Sequence, residues 1–208
     1  MSTYDRTKSM RPLLGIAVPV LWLALCAGSA TAGERSANPT SMSFAAGGTI
    51  RMELNVGDVE VVGTQDERIA VSWHSRDPDD EREVSVKLQG SGTKAVRLVL
   101  DGPGNNIRYR IEVPQRSNVS LDMNAGDLSV RGILGNLEAE LLAGEIDLRV
   151  ADPAKYRTVS AAVTVGEINA PPWHIDLEGL GRSFKVTGDG EYELRARLLA
   201  GQITIRSE

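Results

Sequence analysis

The chain has 208 residues, of which a quarter are charged, and its net charge is −5 at pH 7. The length suits a single domain, and an acidic chain without a basic run is unsuited to nucleic acid, which demands clustered Lys and Arg. Aromatic residues make up only 4% of the sequence, so a deep pocket with aromatic walls is not expected.

The N-terminal segment has the pattern of an export signal. Arg6, Lys8 and Arg11 form a positive region, an apolar run covers residues 13–27, and Ala30-Thr31-Ala32 fits the small-x-small cleavage pattern. The apolar run is short for a membrane span of roughly 20 residues. The sequence therefore predicts a signal peptide over residues 1–32 and a periplasmic or extracellular protein, with an uncleaved anchor as the alternative.

Cys26 is the single cysteine of the chain. Leu23-Ala24-Leu25-Cys26 resembles a bacterial lipobox, in which the cysteine becomes the lipidated N-terminus. The residue before that cysteine is normally small, whereas Leu25 is large. We therefore prefer cleavage after Ala32 to lipidation, and the mature chain would then contain no disulfide.

Residues 33–43 are small and polar, which predicts a disordered leader before a β-strand domain over residues 44–208. Alternating apolar residues begin near Phe44 and predict several strands up to Val113. Turn sequences near Gly90-Ser91-Gly92 and over residues 101–106 suggest that this half is rich in antiparallel hairpins.

One phrase recurs along the chain: a glycine, an acidic or amide residue, and then an apolar–polar–apolar triplet. Glycine allows the positive φ of a tight turn, and the triplet is the pattern of a strand with one buried face. The copies are Gly57-Asp58-Val59-Glu60-Val61, Gly126-Asp127-Leu128-Ser129-Val130, Gly144-Glu145-Ile146-Asp147-Leu148, Gly166-Glu167-Ile168-Asn169-Ala170 and Gly201-Gln202-Ile203-Thr204-Ile205.

These phrases predict a β-repeat architecture in which each unit buries its apolar face against its neighbours. Most of the expected inward anchors follow one another at seven to nine residues, with longer gaps at two surface excursions, residues 151–156 and 171–174. The anchors are Leu121, Leu128, Leu137, Ile146, Val159, Ile168, Val186, Leu194 and Ile203.

The recurring glycine phrase, the hairpin-rich first half and the Val113-Pro114 junction before the repeats resemble the bacterial "putative adhesin" family, over roughly residues 44–207. The resemblance implies an all-β fold, a right-handed, β-helix-like stack of short strands that has been called a toastrack. It also implies a secreted or membrane-tethered envelope protein. It supplies no catalytic or binding residues.

Three groups of residues invite a chemical reading. The acidic run at residues 77–83 could offer oxygen ligands to Ca²⁺, but it lacks the EF-hand glycine and spacing, so we expect a solvated loop. Two Trp-His dipeptides, Trp73-His74 and Trp173-His174, could form a sugar-stacking platform if they met in space. We expect instead that each tryptophan covers an end of the core.

Carboxylates two residues apart, such as Glu138 with Glu140 and Glu145 with Asp147, could serve a glycosidase. The same spacing is what a solvated strand face produces, and we expect that role. The sequence thus predicts a non-enzymatic scaffold or adhesin-like module, without a cofactor, metal or catalytic residue, that binds an unidentified envelope protein or polysaccharide. The alternatives are a carbohydrate-active enzyme and a periplasmic sensor or assembly partner of a membrane protein.

Overall fold

The computed structural model describes residues 38–90, 92–104 and 106–208, and most of them lie in β-strands. One short helix, α1 (Pro78–Glu83), and two 3₁₀ turns, Pro153–Lys155 and Pro171–Trp173, interrupt the strands. The strands are β1 (Thr40–Ser43), β2 (Thr49–Thr64), β3 (Arg68–Ser75), β4 (Ser85–Gly90), β5 (Ala95–Asp101), β6 (Ile107–Pro114), β7 (Asn118–Arg131), β8 (Leu137–Val150), β9 (Tyr156–Ala170), β10 (Ile175–Thr187) and β11 (Tyr192–Ser207).

The all-β prediction is confirmed, and the two 3₁₀ turns lie at the predicted surface excursions. The predicted signal peptide, residues 1–32, lies outside the described residues. Within the described part of the chain, no helix has the length and apolar character needed to cross a membrane.

All eleven strands belong to one open sheet. Its order is β1-β3-β6-β2-β7-β8-β11-β9-β10, with β5 beside β2 and β4 beside β5. The five strands that carry the glycine phrase run parallel with their phrases in register. Their order in the sheet differs from their order in the sequence, because the last strand, β11, lies between β8 and β9.

Each phrase glycine marks a bend within a long strand. In β2, buried residues alternate up to Leu54 and resume at Val59, and the same five-residue step occurs in β7, β8, β9 and β11. Because five is odd, alternation alone would turn the second half of the strand outward. The bend turns the second half inward again. The first arm (the residues before the glycine) and the second arm (the residues after it) therefore both bury apolar side chains in one core.

The prediction of short strands separated by turns is therefore corrected. Strands β2 and β11 have 16 residues each and remain paired to their neighbours through the glycine. We call the glycines at these bends the corner glycines: Gly57, Gly126, Gly144, Gly166 and Gly201, together with Gly179 of β10, which pairs with Gly166.

The core consists of aliphatic residues from both arms. Eight of the nine predicted anchors are buried. Val186 is only partly buried, because it lies on β10, the last strand of the sheet, where no further strand covers it.

The first half of the chain contains fewer hairpins than predicted. β4 and β5 form an antiparallel hairpin, but β5 and β6 do not pair. Instead, β5 pairs in parallel with the first arm of β2 and β6 with its second arm. The turn between them thus replaces a corner glycine, because two short strands together occupy the place of one bent strand.

Two further expectations are corrected at the N-terminal end of the domain. Residues 40–43 are not part of a disordered leader, since β1 pairs antiparallel with β3 and covers its edge. The acidic run is not an irregular loop but contains α1, whose N-cap Asp77 accepts a 2.9 Å hydrogen bond from the Asp79 amide. Helix α1 joins β3 to β4 and has no buried residue.

Candidate functional site

The corner glycines allow adjacent strands to approach closely. Gly144 has φ +131°, and a Cβ atom built on it would lie 2.0 Å from the carbonyl oxygen of Gly126 on the neighbouring strand. Equivalent contacts occur at Gly126, Gly201 and Gly166. The corner therefore requires glycine for two reasons: its backbone has a positive φ, and the neighbouring strand leaves no room for a side chain.

A groove of about 890 Å³ crosses seven strands next to this corner, on the side of the first arms. The five phrase strands contribute the residues two to four positions before the corner, the antiparallel β10 contributes those two to four positions after it, and β5 contributes residues 99–101. The lining residues are Glu53, Leu54, Asn55, Val99, Leu100, Asp101, Asp122, Met123, Asn124, Glu140, Leu141, Leu142, Ala162, Val163, Thr164, Gly181, Arg182, Ser183, Arg197, Leu198 and Leu199.

One wall of the groove is formed by ion pairs between strands. Arg97 donates to Glu53 at 2.5 Å, Arg51 to Asp122 at 3.2 Å, and Arg197 to Glu140 at 2.5 Å. The hydrogen bond from Arg97 is the main reason that the pKa of Glu53 lies below its usual range. These three pairs bring equal numbers of positive and negative charges to this wall, which also contains Val99 and Ala162.

Ion pairs of the same kind bear on whether the carboxylates two residues apart could be catalytic. Glu138 and Glu140 bind Arg195 and Arg197 of the adjacent strand, and Asp147 binds Arg149 and Arg206. A glycosidase needs two carboxyl groups that flank a substrate in a cleft, whereas these carboxylates are held in ion pairs by guanidinium groups. The geometry thus favours the structural role for these side chains.

The other wall is a row of residues two positions before the corner, and it changes character along the sheet. Asn55 donates to Asp101 at 3.3 Å, and Asn124 donates to Asn55 at 3.1 Å. The next positions in register are Leu142 on β8 and Leu199 on β11, which are 53% and 52% exposed. We call Asn55, Asn124, Leu142, Leu199 and Thr164 the amide–leucine row.

A row of acidic residues follows directly after the corner. Asp58, Asp127 and Glu145 occupy matching positions on adjacent parallel strands, and Glu167 pairs in register with Glu178. Gln202 lies between Glu145 and Glu167. Neighbouring strands are about 4.8 Å apart. We call these five acids and Gln202 the carboxylate row.

The carboxylate row has no ion pair with any residue in the described ranges, although the acids on both sides of it are paired. In the described ranges, no group of three His, Cys, Asp or Glu side chains has the arrangement to hold a metal ion. Like charges opposite each other on adjacent strands repel. The row is therefore a fixed negative surface beside the groove.

The two Trp-His dipeptides lie far apart in the sheet. Trp73 is buried on β3, near one end of the strand order, where its Nε1 donates to the Glu81 carbonyl of α1 at 3.1 Å. Trp173 packs against the core beside β10, at the other end. The expectation that each tryptophan covers an end of the core is confirmed, and they form no common sugar platform.

The acidic run serves to fix α1 against β3. Glu81 accepts 2.8 Å and 2.7 Å contacts from the Ser75 amide and from His74 Nδ1. The backbone hydrogen bond from Ser75, followed by the contact with His74, holds the pKa of Glu81 below its usual range. The contacts of this carboxylate are thus structural.

Sequence reasoning missed Leu142 and Leu199. A signal was present, because Leu141-Leu142 and Leu198-Leu199 are doublets that break the alternation two residues before a phrase glycine. Asn55 and Asn124 stand at the same place in the other phrases, so a leucine there is exposed. Gly179 was missed because its sequence, Gly179-Leu180-Gly181-Arg182, lacks the apolar triplet.

No protein-family model and no curated protein sequence matches this chain. Among solved structures, it is similar to a "putative cell adhesion protein" from Clostridium sporogenes, with a TM-score of 0.52, 15% identity, and coverage of 82% of this chain and 100% of that one. Two structures described as a "putative adhesin", from Parabacteroides merdae and Bacteroides fragilis, cover 81% and 84% of this chain and 95% and 99% of their own.

The latter two overlap less well, with TM-scores of 0.28 and identities of 9% and 8%. The protein from Clostridium sporogenes carries a cell adhesion name, which agrees with the resemblance of the glycine phrases. The likeness to the Clostridium sporogenes protein is one of fold, and this chain shares the all-β architecture of that cell adhesion protein.

Proposed function

We propose that the chain is an exported, non-enzymatic, adhesin-like binding module of the bacterial cell envelope. Its scaffold in this proposal is a right-handed, toastrack-like stack, supported by five parallel strands that bend at matching glycines. Export is supported by the basic, apolar and small-residue order of residues 1–32. The adhesin-like role is supported by the name of the protein from Clostridium sporogenes.

The observation that carries the binding role is the exposure of Leu142 and Leu199 side by side in the groove. Each is about half exposed, and they are neighbours on β8 and β11. Exposed apolar residues that form a patch with a polar rim mark interaction sites. Here the rim is the ion-paired wall on one side and the carboxylate row on the other.

A protein suits this groove better than a polysaccharide does. Seven strands at about 4.8 Å spacing give a length of roughly 29 Å, which accommodates an extended polymer of either kind. Sugar rings are bound by stacking on aromatic faces, and no aromatic residue is among the residues that line the groove. Leucines beside carboxylates fit a polypeptide with apolar and basic side chains.

Crosslinking in living cells tests this proposal. A photoreactive amino acid at Leu142 should yield a discrete adduct with an envelope protein, outside the cytoplasm. The control is the same amino acid at Gln89, an exposed residue of β4 that does not line the groove. Adducts at both positions, a glycosidase-sensitive smear, or no adduct at Leu142 would refute the assignment of the groove to a protein partner.

A further inference from the structure

Strand β10 is a long edge strand. It pairs antiparallel with β9 from Ile175 to Thr187 on one side, and no strand in the described ranges covers its other side. The other edges are shorter, since β1 has four residues and β4 has six. The unpaired backbone groups of an edge strand are a template for another chain.

The apolar residues of β10 are incompletely covered. Ile175, Leu177 and Phe184 lie opposite buried residues of β9 and pack on the core, yet none of them is buried. Leu180, at the corner of β10, is 75% exposed and is the most exposed large apolar residue in the described part of the chain. The core is thus open at this end.

The charges of β10 are divided between its two arms. Asp176 and Glu178 precede the corner, whereas Arg182 and Lys185 follow it. A second β10 running parallel would place like charges together. An antiparallel β10 places the acidic arm of each copy against the basic arm of the other, so the strand is complementary to itself in that direction alone.

The fold already contains an antiparallel pair with aligned corners. Gly179 of β10 pairs with Gly166 of β9, and Leu177 and Phe184 pair with Ile168 and Ala161. A bent strand can therefore accept an antiparallel neighbour with both arms in place. A twofold axis at the corner of β10 would also give an antiparallel pair with both arms paired, because it exchanges the two arms and reverses the strand.

We propose that β10 is the docking edge for a second copy of this chain, which adds its own β10 antiparallel across a twofold axis. With the corners offset by one residue, so that Gly179 lies opposite Leu180 of the second copy, Ile175 lies opposite Phe184 and Asp176 opposite Ser183. Leu180 of each copy meets the corner of the other, and Asp176 is diagonal to Lys185. The two open core ends cover each other.

Arg182 determines which part of β10 pairs. Its Nε donates to the Glu178 carbonyl at 2.7 Å, so one acceptor at the corner is already occupied. The backbone groups of the two arms remain for the second copy. The pairing therefore consists of two short antiparallel ladders, one for each arm, with Leu180 in contact between them.

Sedimentation of the purified full chain tests this proposal. We expect a dimer at about 100 µM and dissociation on dilution. Lys185→Glu should weaken the dimer about tenfold, because the twofold axis makes the change count twice. Adding Asp176→Lys to Lys185→Glu should restore it. Association through residues 1–37 would be insensitive to these changes.

Lys87→Glu is the control, since Lys87 is exposed on the β4 edge and should leave the dimer unchanged. The register is tested by Asp176→Cys with Ser183→Cys in a Cys26→Ser chain, which should form a dimer linked by disulfides under oxidation. A chain that is monomeric at this concentration would overturn the proposal. So would a dimer that ignores the charge exchange, or a cysteine pair that does not crosslink.

Discussion

The corner glycines show two constraints acting on one residue. Their positive φ follows from the sequence, because a glycine before an alternating triplet is typical of a bend. The approach of the next strand does not follow from it. Gly166, for example, lies against Gly201 of a strand that is 35 residues later, and this contact leaves no local mark on the chain.

The two constraints can be separated with alanine. Gly144 and Gly104 have similar φ values, +131° and +127°, but only Gly144 faces a backbone oxygen, since nothing lies within 4 Å of a Cβ at Gly104. We expect Gly104→Ala to lower the free energy of unfolding by about 1–2 kcal/mol. Gly144→Ala should cost more than about 3 kcal/mol.

Denaturant titration of both alanine variants and the parent measures the difference. Equal losses in the two variants would show that backbone conformation alone explains the corner glycines.

Repulsion within the carboxylate row should lower the free energy of unfolding. Gln202 separates Glu145 from Glu167, so Gln202→Glu would join the acids on its two sides into an unbroken row of six. We expect the free energy of unfolding to fall by about 0.2–1 kcal/mol, with a smaller loss at high salt because salt screens exposed charges. Thermal melting at low and high salt measures it.

Gln89→Glu is the matched control, because residue 89 lies opposite Arg97 and the new carboxylate should not lower stability. An unchanged melting temperature for Gln202→Glu at low salt would mean that the row is screened by contacts other than its strand neighbours.

Two buried tyrosines predict loss of stability in alkali. Burial, followed by the charge of Asp101, raises the pKa of Tyr109 to about 12, and burial with smaller effects of Tyr192 and Glu208 raises that of Tyr156 to about 12. An unfolded tyrosine titrates near 10. The contribution of each folded tyrosine is therefore complete below about pH 10 and is lost as pH rises through about 12.

The loss should reach up to about 2–3 kcal/mol for each tyrosine. Unfolding measured from pH 8 to pH 12 should show this decline, and Tyr109→Phe should make it shallower. A decline of the same slope in that variant would exclude Tyr109 as a source.

Among the elements, β1 differs most from its prediction. The small, polar residues 40–43 carry little apolar signal, yet Met42 packs against the core and all four residues pair with β3. In addition, Asn38 donates to the Trp73 carbonyl at 2.7 Å. Pairing to an existing edge can order a segment that its own composition leaves undecided.

We expect a chain that starts at Phe44 to be less stable than one that starts at Asn38, by at least about 1 kcal/mol, because several backbone hydrogen bonds are lost. Chemical denaturation of the two truncated chains tests this. Equal stability would restore the earlier view that residues up to 43 are a dispensable leader.

Elements with strict alternation could be predicted from the sequence, as the buried anchors Leu128, Ile146 and Ile203 show. The prediction that Val186 is buried was wrong, because alternation shows which residues share a face of the strand but not whether another strand covers that face. The predicted β5–β6 hairpin is absent for a related reason. Its turn was recognised correctly, but both strands found a partner in β2.

At the scale of the whole molecule, the all-β class could be predicted and the order of the strands could not. The glycine phrases are nearly interchangeable, so each can lie beside any other in register. The observed order places β11 between β8 and β9, and no local feature of the phrases specifies that choice. The groove could not be predicted either, because it combines residues from seven strands.

A continuous core predicts a single unfolding transition. All the buried hydrophobic residues of the described chain except Val62 form one cluster from Phe44 to Ile205. Trp73 and Trp173 report on opposite ends of the sheet. In a Trp22→Phe background, Trp73→Phe and Trp173→Phe each leave one of these reporters. We expect their fluorescence midpoints in denaturant to follow the far-ultraviolet signal of the same variant.

A fluorescence midpoint that departs from the far-ultraviolet midpoint in either variant would show that the two ends unfold separately, as repeat arrays with weak coupling do.

The central position of β11 has a consequence for the folding of the chain. Among the described strands, the β9–β10 pair is hydrogen-bonded to β8 through β11, although the chain itself leads directly from β8 to β9. β9 therefore cannot take its final place until β11, which is later in the sequence, has been inserted beside β8. This insertion is a long-range step, and parallel pairing over such separations is intrinsically slow.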